Sequence, residues 1–465
     1  MMIYKKFASV CLAVSFMLCN ISPCFAVEGV KKNDKKYTHK VKKSRYKNDG
    51  YKYEYINLEW WKSFNDEYLT NYIIKAIQHN HDLKMASIAV DEYYQYTRIQ
   101  FASELPVAGV GFSPALVKNI GYTNWNWSFV APALVNYEAD IFLKNHDKTK
   151  SAKKTYEGAI QDERASYIAV AAAVGTTYLN IVKLDEIIKY QEKIVELRKN
   201  ISDLVWLCNQ EGTASMSDAV KANKSYVYGM SELPDLKKNR SKLLNQLAVL
   251  TGENPDDVEN LPRKTLSEIN FTGNLPKEIS SEVIVNRPDY VKSEIMLEKA
   301  GIDVRVAKKE FLPTINLSGV IGFTAGDLGR MFNTKTALSA LAAGMILPVF
   351  TGGKRIANLR LKKSTYDRVL ENYFKINQTA MQEVNDALVV LKQDYDKLEQ
   401  NQKHFLLEQK DFELTKVRYE QGVISKKDYY QMEENLMTVQ KLVASNTSDC
   451  LINAIGLYKA SGSKI

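Results

Sequence analysis

The chain has 465 residues, of which 45% are hydrophobic and 25% charged, and a formal net charge of +9. The excess charge is local, because residues 27–52 hold ten Lys or Arg against three acidic residues, and Lys5 and Lys6 account for the rest. A basic surface for nucleic acid would have to lie in that segment, so the neutral remainder of the chain is not expected to have a nucleic-acid partner.

The first 26 residues predict a secretory signal peptide. A basic start precedes an apolar run over residues 7–18, and the small residue Ala26 suits cleavage. Cleavage after Ala26 is preferred to lipidation at Cys24, because Cys24 follows Pro23, where bacterial lipoprotein signals carry a small residue. No later stretch approaches the roughly 20 uninterrupted apolar residues of a transmembrane helix, so no helical anchor is expected.

Residues 27–56 form a basic tail. The segment is rich in Lys, Tyr and Asn and has no apolar periodicity, which is typical of a disordered, solvated extension. A binding arm for lipid or peptidoglycan is the alternative interpretation.

Two tandem halves follow the tail. A tripeptide that ends in Gly, a Ser three residues later and an Asp six residues later recur at an offset of 210 residues: 210–212 with 420–422, Ser215 with Ser425, and Asp218 with Asp428. This repetition predicts a first structural repeat over residues 57–252, a linker over 253–280 and a second repeat over 281–462.

Each half contains two predicted strands before its long helix. They lie at about 107–113 and 122–137 in the first half and at about 313–323 and 336–350 in the second. Apolar residues at alternate positions of the third strand indicate one apolar face: Ile315, Leu317, Ile321 and Phe323. The small residues of 339–344 leave a helix open as the alternative for the fourth strand. The aromatic stretch from Trp125 to Phe129 is interpreted as an interfacial girdle rather than core.

A long helical hairpin follows the strands in each half, at about 144–250 and 354–456. Residues 354–421 contain neither Gly nor Pro, and at about 1.5 Å per residue such a helix is roughly 100 Å long. Its apolar residues recur at steps of four and three, from Val384 to Tyr419, which predicts a coiled-coil seam.

Glycines are predicted to reverse the chain at the end of each hairpin. Gly212 and Gly422 end the two long runs, and Gly adopts the left-handed backbone conformation that such a reversal needs. In the first returning helix, Pro234 lacks a backbone donor and predicts a kink or break.

Four strands per chain cannot close into a barrel. Every backbone polar group in lipid needs an internal partner, so several chains must pool their strands if the sheet enters a bilayer. A soluble periplasmic sheet that caps a coiled coil is the alternative.

No catalytic or metal-binding constellation is apparent. The five histidines do not cluster with Cys or acidic residues at ligand spacing: His39, His79, His81, His146 and His404. The glycine-rich segment 319–326 lies within an alternating strand pattern and lacks a GK[ST] sequence. Cys208 and Cys450 are too few for a disulfide scaffold, and the repeat places them too far apart to pair. We therefore expect neither an enzyme nor a cofactor.

Six segments resemble, in order, the outer-membrane factor family of TolC-like channels, in the branch typified by NodT-type and OprM-type efflux lipoproteins. They are Trp60–Asp66, Asn80–Leu83, Asn286–Asp289, Phe311–Gly319, Leu347–Arg355 and Arg418–Gly422. Any one motif is weak, but six in order inside a tandem repeat are specific.

The resemblance implies a homotrimer with a twelve-stranded β-barrel in the outer membrane and an α-helical tunnel across the periplasm. It also implies that the hairpin ends, with Gly212, Ser215, Gly422 and Ser425, meet a periplasmic adaptor (membrane fusion protein) that serves an inner-membrane pump. The chain departs from the family in two respects. It lacks a well-placed cysteine for acylation, and only one of the two acidic entrance positions is acidic here, Asp428, because Gln431 occupies the other.

The sequence therefore predicts an α+β membrane protein that forms the exit duct of a tripartite efflux or type I secretion system. A soluble periplasmic coiled-coil scaffold without a pore is the alternative. The exported compounds and the identities of the pump and adaptor do not follow from the sequence.

Overall fold

The computed structural model describes residues 59–117, 125–255, 261–273 and 281–462. The predicted signal peptide with Cys24 and Ala26, and the basic tail, lie outside the described residues. So do the first residues of the strand predicted at 122–137 and parts of the predicted linker.

The first repeat opens with a short 3-10 helix, Trp60–Phe64. Its helices and strands are α1 (Glu67–His79), α2 (His81–Ala102), β1 (Val107–Val110), β2 (Ser113–Val117), β3 (Asn126–Ala139), α3 (Lys144–Gln210) and α4 (Met216–Thr251).

The second repeat has the same order. Its helices and strands are α5 (Pro288–Lys309), β4 (Thr314–Ala325), β5 (Ala337–Ile346), α6 (Lys354–Glu420) and α7 (Lys426–Ala460). Residues 339–344 lie in β5, so the helical alternative for that stretch is wrong.

The short helices extend the returning helices of the hairpins. The Asn80 side chain caps α2 and donates from Nδ2 to the Leu250 carbonyl at the end of α4, 3.0 Å away. In the second repeat, Arg287 precedes α5 and donates from Nη1 to the Ala460 carbonyl at the end of α7, 2.6 Å away. These bonds satisfy carbonyls that a helix end otherwise leaves without a partner. Each repeat therefore contains two long rods, α3 with α4/α2 and α6 with α7/α5.

The four rods have a fixed order within the chain. Helix α3 packs against α2, α4, α5 and α7, whereas α6 packs against α5 and α7. The order is therefore α4/α2, α3, α7/α5 and α6. Helix α3 is the best buried, while α6 buries only four of its 67 residues: Ala380, Val384, Leu391 and Thr415.

The main core surrounds the middle of α3 and explains the aromatic opening segment. Trp60 stacks on Tyr458 with ring centroids 5.8 Å apart, and Phe64 is fully buried. The Asp66 side chain caps α1 and also accepts a 2.6 Å hydrogen bond from the Tyr178 hydroxyl of α3. The segment from Trp60 to Asp66 thus fastens α1 to the long helix.

Helix α3 runs without a break through Gly158 and Gly175. A Cβ on Gly158 would lie 2.4 Å from the Met296 side chain, and one on Gly175 would lie 2.8 Å from Trp60. Both glycines therefore permit close helix packing rather than ending the helix.

Of the kink or break predicted at Pro234, the break is wrong, because α4 continues through it. Proline leaves the carbonyl four residues earlier without its usual helical donor. In the turn before Pro234, the Gln191 amide of α3 donates to the Gly229 carbonyl, 3.3 Å away, and Gly229 packs closely on Val195. Packing against α3 supports the helix where the sequence alone predicts an end.

The five strands form one antiparallel sheet that is four strands wide, because β1 and β2 lie end to end on the same side of β3. Strands β1 and β2 pair with successive parts of β3, β3 pairs with β4, and β4 pairs with β5. The predicted strand 107–113 is longer and is divided at Gly111 and Phe112, opposite Pro132. Pro132 lacks a backbone donor but accepts a 2.8 Å hydrogen bond from the Gly111 amide, so β1 and β2 keep the same register against β3 on both sides of the interruption.

Candidate functional site

The sheet has one strongly apolar face. Residues directly opposite one another in antiparallel strands share a face, so the pairs Phe129 with Ala325 and Tyr137 with Leu317 fix the face of every residue between them. This apolar face comprises Trp127, Phe129, Ala131, Ala133, Val135 and Tyr137 of β3, Leu317, Gly319, Ile321 and Phe323 of β4, and Leu341 and Met345 of β5. Leu341 is 94% exposed and Ile321 66% exposed, so nothing in the described chain covers the middle of this face.

The opposite face is mixed in polarity. It comprises Ser128, Val130, Pro132, Leu134, Asn136 and Glu138 of β3 together with Asn316, Ser318, Val320, Gly322 and Thr324 of β4. Glu138 is the one charged residue in the five described strands, and it pairs with Lys144 at the start of α3, 2.6 Å away. Alternation of an apolar face with a mixed face is the pattern of a strand that separates lipid from water.

Aromatic residues lie towards both ends of the apolar face. Trp125 and Trp127 are 61% and 50% exposed at one end, and Tyr137 lies near the other. Phe129 and Tyr137 are eight residues apart, about 26 Å along the strand. At the strand tilt of about 40° that is usual in outer-membrane barrels, this corresponds to roughly 20 Å along the membrane normal, somewhat less than the apolar band of about 25 Å. Phe129 differs from the predicted girdle, because it is buried by stacking against Phe112 and Trp127.

Both lateral edges of the sheet lack a strand partner among the described residues. Strand β5 pairs only with β4, and β1 and β2 pair only with β3. All ten residues of β5 are exposed. A strand edge of this length normally needs protection, because its backbone groups can pair with another chain.

The hairpin ends are two nearly identical tips, which we name the first tip (residues 208–219) and the second tip (residues 418–429). Gly212 and Gly422 adopt φ values of +74° and +72°. The amide of Gly212 donates to the Asn209 carbonyl and that of Thr213 to the Cys208 carbonyl, at 3.0 and 2.8 Å. The equivalent bonds of the second tip measure 2.9 and 2.8 Å. This is the glycine-dependent helix end known as the Schellman motif, and it confirms the reversal predicted at both glycines.

Ser215 and Ser425 start the returning helices in the same way. Each serine Oγ accepts from a backbone amide three residues later at 3.1 Å and donates to that residue's carboxylate at 2.7 Å. The carboxylates are those of Asp218 and Asp428, in the first turns of α4 and α7. Both aspartates therefore help to cap a helix, whatever else they do.

Lysines of both hairpins lie near Asp218. The hydrogen bond from Ser215, and then the positive charges of Lys221 and Lys427, lower the pKa of Asp218. Lys427 belongs to the second tip, and the nearby Tyr430 packs against Ala219 of the first tip, so the two tips lie close together. Asp428 is exposed and follows directly after Lys426 and Lys427.

Contacts between the tips involve residues that the sequence analysis missed. Tyr430, next to the second tip, packs against Ile201, Val205 and Ala219 of the first hairpin. Within the second tip, Tyr429 stacks on Tyr419 with centroids 4.8 Å apart. The available signal was an asymmetry in the repeat, because the tyrosine pair 429–430 stands where the first half has Ala219 and Val220.

Polar contacts join α3 to α7 above the tips. Arg198 Nε lies 2.7 Å from Glu434 Oε1, and Lys183 Nζ lies 2.6 Å from Asp449 Oδ1. Between them, Lys441 donates to the Gln191 side chain, which in turn donates to Glu232 of α4. No sequence pattern predicted the three contacts between α3 and α7, because each joins residues more than 230 positions apart.

Across residues 59–117, 125–255, 261–273 and 281–462, no group of three or more His, Cys, Asp or Glu side chains is placed to hold a metal ion. Cys208 is exposed, Cys450 is buried, and both are free, which confirms the prediction that they do not pair.

One described helix, α3, has a window long and apolar enough to cross a membrane, so the expectation that no such stretch exists was too strong. However, 61% of that window is buried inside the chain. This burial is typical of a core helix.

Comparisons with known proteins agree with this geometry. The family model described as "Outer membrane efflux protein" matches residues 72–253 and 279–463, which correspond to the two repeats. The antibiotic efflux pump outer membrane protein ArpC of Pseudomonas putida is 26% identical over 87% of this chain and 84% of its own length. The cation efflux system protein CusC of Escherichia coli is 24% identical over 88% of this chain and 89% of its own length.

Solved structures show the same fold. The Campylobacter jejuni CmeC outer membrane channel has a TM-score of 0.81 and 25% identity, and the match covers 88% of each chain. Family, relatives and fold together favour a channel over a soluble scaffold. The chain belongs to the outer membrane efflux protein family, as an efflux channel of the outer membrane with its helices in the periplasm.

Proposed function

We propose that the chain forms a homotrimer whose sheets close into a twelve-stranded β-barrel, the exit duct of a tripartite efflux or type I secretion system. The observation that carries this proposal is a sheet four strands wide, with a continuous apolar face and with two edges that have no strand partner among the described residues. A sheet with unpaired edges cannot stay in lipid, whereas copies joined edge to edge leave no edge unpaired.

The rods support the same assembly. The outermost rods of the chain are α4/α2 on one side and α6 on the other. The outermost strands of the sheet are correspondingly β1/β2 and β5. Different surfaces at the two ends require head-to-tail contacts, which close into a ring. Exposed apolar side chains on α2 and α6 suit such contacts: Met85, Ile88, Ile99, Leu361, Phe374 and Val389. The number three rests on the family resemblance.

In this assembly the apolar face of the sheet contacts lipid and the mixed face lines the pore. Apart from Glu138, which is paired with Lys144, the pore-lining strand residues are uncharged. The barrel therefore selects weakly by charge, and selection falls to the pump that delivers the substrate. Relatives named for antibiotic and cation efflux are consistent with a permissive duct.

The tips would receive the periplasmic adaptor, through the surface around Gly212, Ser215, Gly422 and Ser425. Support comes from their exposure and from the two matching turn geometries, which present similar surfaces to a repeated partner. The adaptor in turn would connect the channel to an inner-membrane pump.

Asp428 would constrict the entrance. Ring symmetry places one Asp428 carboxylate per subunit around the axis, where like charges favour cations or water. Its bond to Ser425 gives it a capping role as well, so the two roles must be separated by measurement.

Reconstitution tests the channel. The purified protein should run as a trimer in native mass spectrometry and should give discrete conductance steps in planar bilayers. Release of the mature protein with the soluble periplasmic fraction, together with an absence of conductance, would instead support the scaffold.

A further inference from the structure

The helix ends next to the sheet have two distinct faces. On one face, side chains of α2, α3, α5 and α6 line a cavity of about 490 Å³; they include Gln100, Lys148, Ser151, Asp303 and Lys362. Lys144, Lys148 and Ser151 follow one another at steps of four and three, so they share one side of α3. Lys144 bonds to Glu138, which lies on the mixed face of the sheet. The mixed face therefore continues onto the cavity side of the helices.

The opposite side of the same helices continues from the apolar face of the sheet. At 100° per residue, positions two and five residues from a cavity-lining residue point away from the cavity. Exposed cations occupy such positions on all four helices: Arg98 of α2, Lys150 and Lys153 of α3, Arg305 and Lys308 of α5, and Arg360 of α6. We name these six residues the basic collar.

The basic collar carries charge that the chain does not neutralise. Arg305 lies 3.7 Å from Asp147, but the other five have no ion-pair partner within the part of the chain that the structure describes. The neighbouring acidic residues are already engaged, because Asp147 bonds to Lys309 and Glu298 to Lys154, both at 2.7 Å.

The basic collar lies just below the proposed membrane boundary. Its residues are between one and nine positions from the sheet-side ends of their helices, which corresponds to about 2 to 14 Å along the axis. Apolar side chains between sheet and helix are also exposed, including Ile141 at 65% and Val349 and Phe350 at 89% each. Apolar residues followed by Lys and Arg are typical of a surface at a lipid headgroup layer.

We propose that the basic collar binds the headgroups of anionic phospholipids in the periplasmic leaflet of the outer membrane. This inference rests on the proposed barrel, since it requires the apolar face to contact lipid. Several lysines and arginines beside a membrane attract anionic headgroups, and the attraction acts over about a Debye length. The collar would thereby fix the depth of the barrel while the cavity side remains in the pore.

The test is equilibrium binding of fluorescent phospholipids to the full, detergent-solubilised assembly, measured by anisotropy. Phosphatidylglycerol should bind at least about tenfold more tightly than phosphatidylethanolamine at about 0.05 M salt, and the preference should shrink at about 0.5 M salt. The variant Lys150→Gln, Lys153→Gln, Lys308→Gln, Arg360→Gln should lose the preference. The matched control replaces four exposed lysines far from the sheet, Lys199, Lys224, Lys410 and Lys416, with Gln and should retain it.

The possible outcomes are distinct. If the neutralised variant fails to assemble, a second variant is needed. Replacing the three collar lysines with Arg should keep the preference for phosphatidylglycerol, and the salt dependence of lipid binding by the unmodified assembly tests the proposal. No preference in the unmodified assembly, a preference insensitive to salt, or equal losses in both variants would overturn the proposal. Conductance in planar bilayers is measured separately. A result against lipid binding by the basic collar is therefore distinguishable from a result against the proposed channel.

Discussion

At the tips, the positive φ of the backbone, rather than a lack of space for a side chain, makes glycine the favoured residue. A Cβ built on Gly422 would have no neighbour within 4 Å, yet its φ of +72° disfavours every L-residue. The sequence could predict this position because a single glycine follows a long run without Gly or Pro. It could not predict the bonds of the turn, which depend on carbonyls of the preceding helix.

Replacing Gly422 with Val should distort the second tip without dissolving the rods. The expected local cost is about 1 to 2 kcal/mol, because a β-branched residue enters the left-handed region. Hydrogen exchange should increase at residues 418–426, and adaptor binding should weaken while the trimer persists. The control is Gly456→Ala, an open position inside α7, where helix propensity should leave stability equal or higher. Unchanged exchange at the second tip would contradict the argument.

The two thiols should differ sharply in reactivity. Burial is the largest influence that raises the pKa of Cys450, to about 11, and the charges of Asp394 and Asp449 act in the same direction. Cys208 is exposed beside the first tip. Because the thiolate is the reactive form, a maleimide at neutral pH should label Cys208 rapidly and Cys450 only after unfolding. Peptide mapping with and without denaturant measures this, and equal labelling in the folded assembly would contradict the burial of Cys450.

Among the elements, the long helices were the most predictable and the first repeat the least. Helix α6 follows from a run without Gly or Pro. Of the seam that its apolar periodicity predicts, Val384 and Leu391 are buried, whereas Tyr395 is 43% exposed. Pro234 misled the sequence-based prediction, because its effect depends on the neighbouring helix. Gly158 and Gly175 permit close packing of α3, and the turn before Pro234 contacts α3 through Gly229. Local propensity could not reveal that tertiary packing prevails at these positions.

Within the sheet, Gly322 should be required opposite Pro132. A Cβ on Gly322 would lie 2.8 Å from the Ala131 carbonyl oxygen and 3.0 Å from the Pro132 Cα, and backbone atoms cannot move aside cheaply. Gly322→Val should therefore reduce the yield of heat-resistant trimers on semi-denaturing gels. Gly344→Val is the control, because that strand glycine has no atom within 4 Å of its Cβ. Equal trimer yields from the two variants would show that the β3–β4 contact is not limiting.

Between the rods, the Arg198–Glu434 pair should contribute measurably to stability. Its side chains are only 21% and 10% exposed, so removing Arg198 leaves a poorly solvated carboxylate. Arg198→Met should cost about 2 to 3 kcal/mol, and adding Glu434→Met should recover part of it. The Lys403–Glu399 pair, whose side chains are 59% and 63% exposed, provides the control cycle, with a coupling below about 0.5 kcal/mol. Thermal unfolding followed by circular dichroism measures both cycles; additive effects at Arg198 and Glu434 would show that the pair is not coupled.

At the scale of the whole molecule, the repeat made the architecture predictable but not its asymmetry. Two equal halves predict four strands, four rods and open edges at both ends of the row. They do not predict that α3 is central and α6 peripheral, nor that Tyr430 docks on the first hairpin. Those features arise where the halves differ in sequence, and there a repeat carries no information. If the tips form the proposed entrance, this asymmetry should affect function there.

Asp218 and Asp428 offer a matched test of the entrance, because they share one capping geometry. Each accepts a 2.7 Å hydrogen bond from its serine, so Asn at either position removes the charge while retaining a hydrogen-bond acceptor. If symmetry places Asp428 around the pore axis, Asp428→Asn should reduce the preference for cations, measured as a shift in reversal potential across planar bilayers under a salt gradient. Asp218→Asn should shift it less. Equal shifts, or unchanged potentials for both variants, would mean that Asp428 only caps α7 and that the entrance is constricted elsewhere.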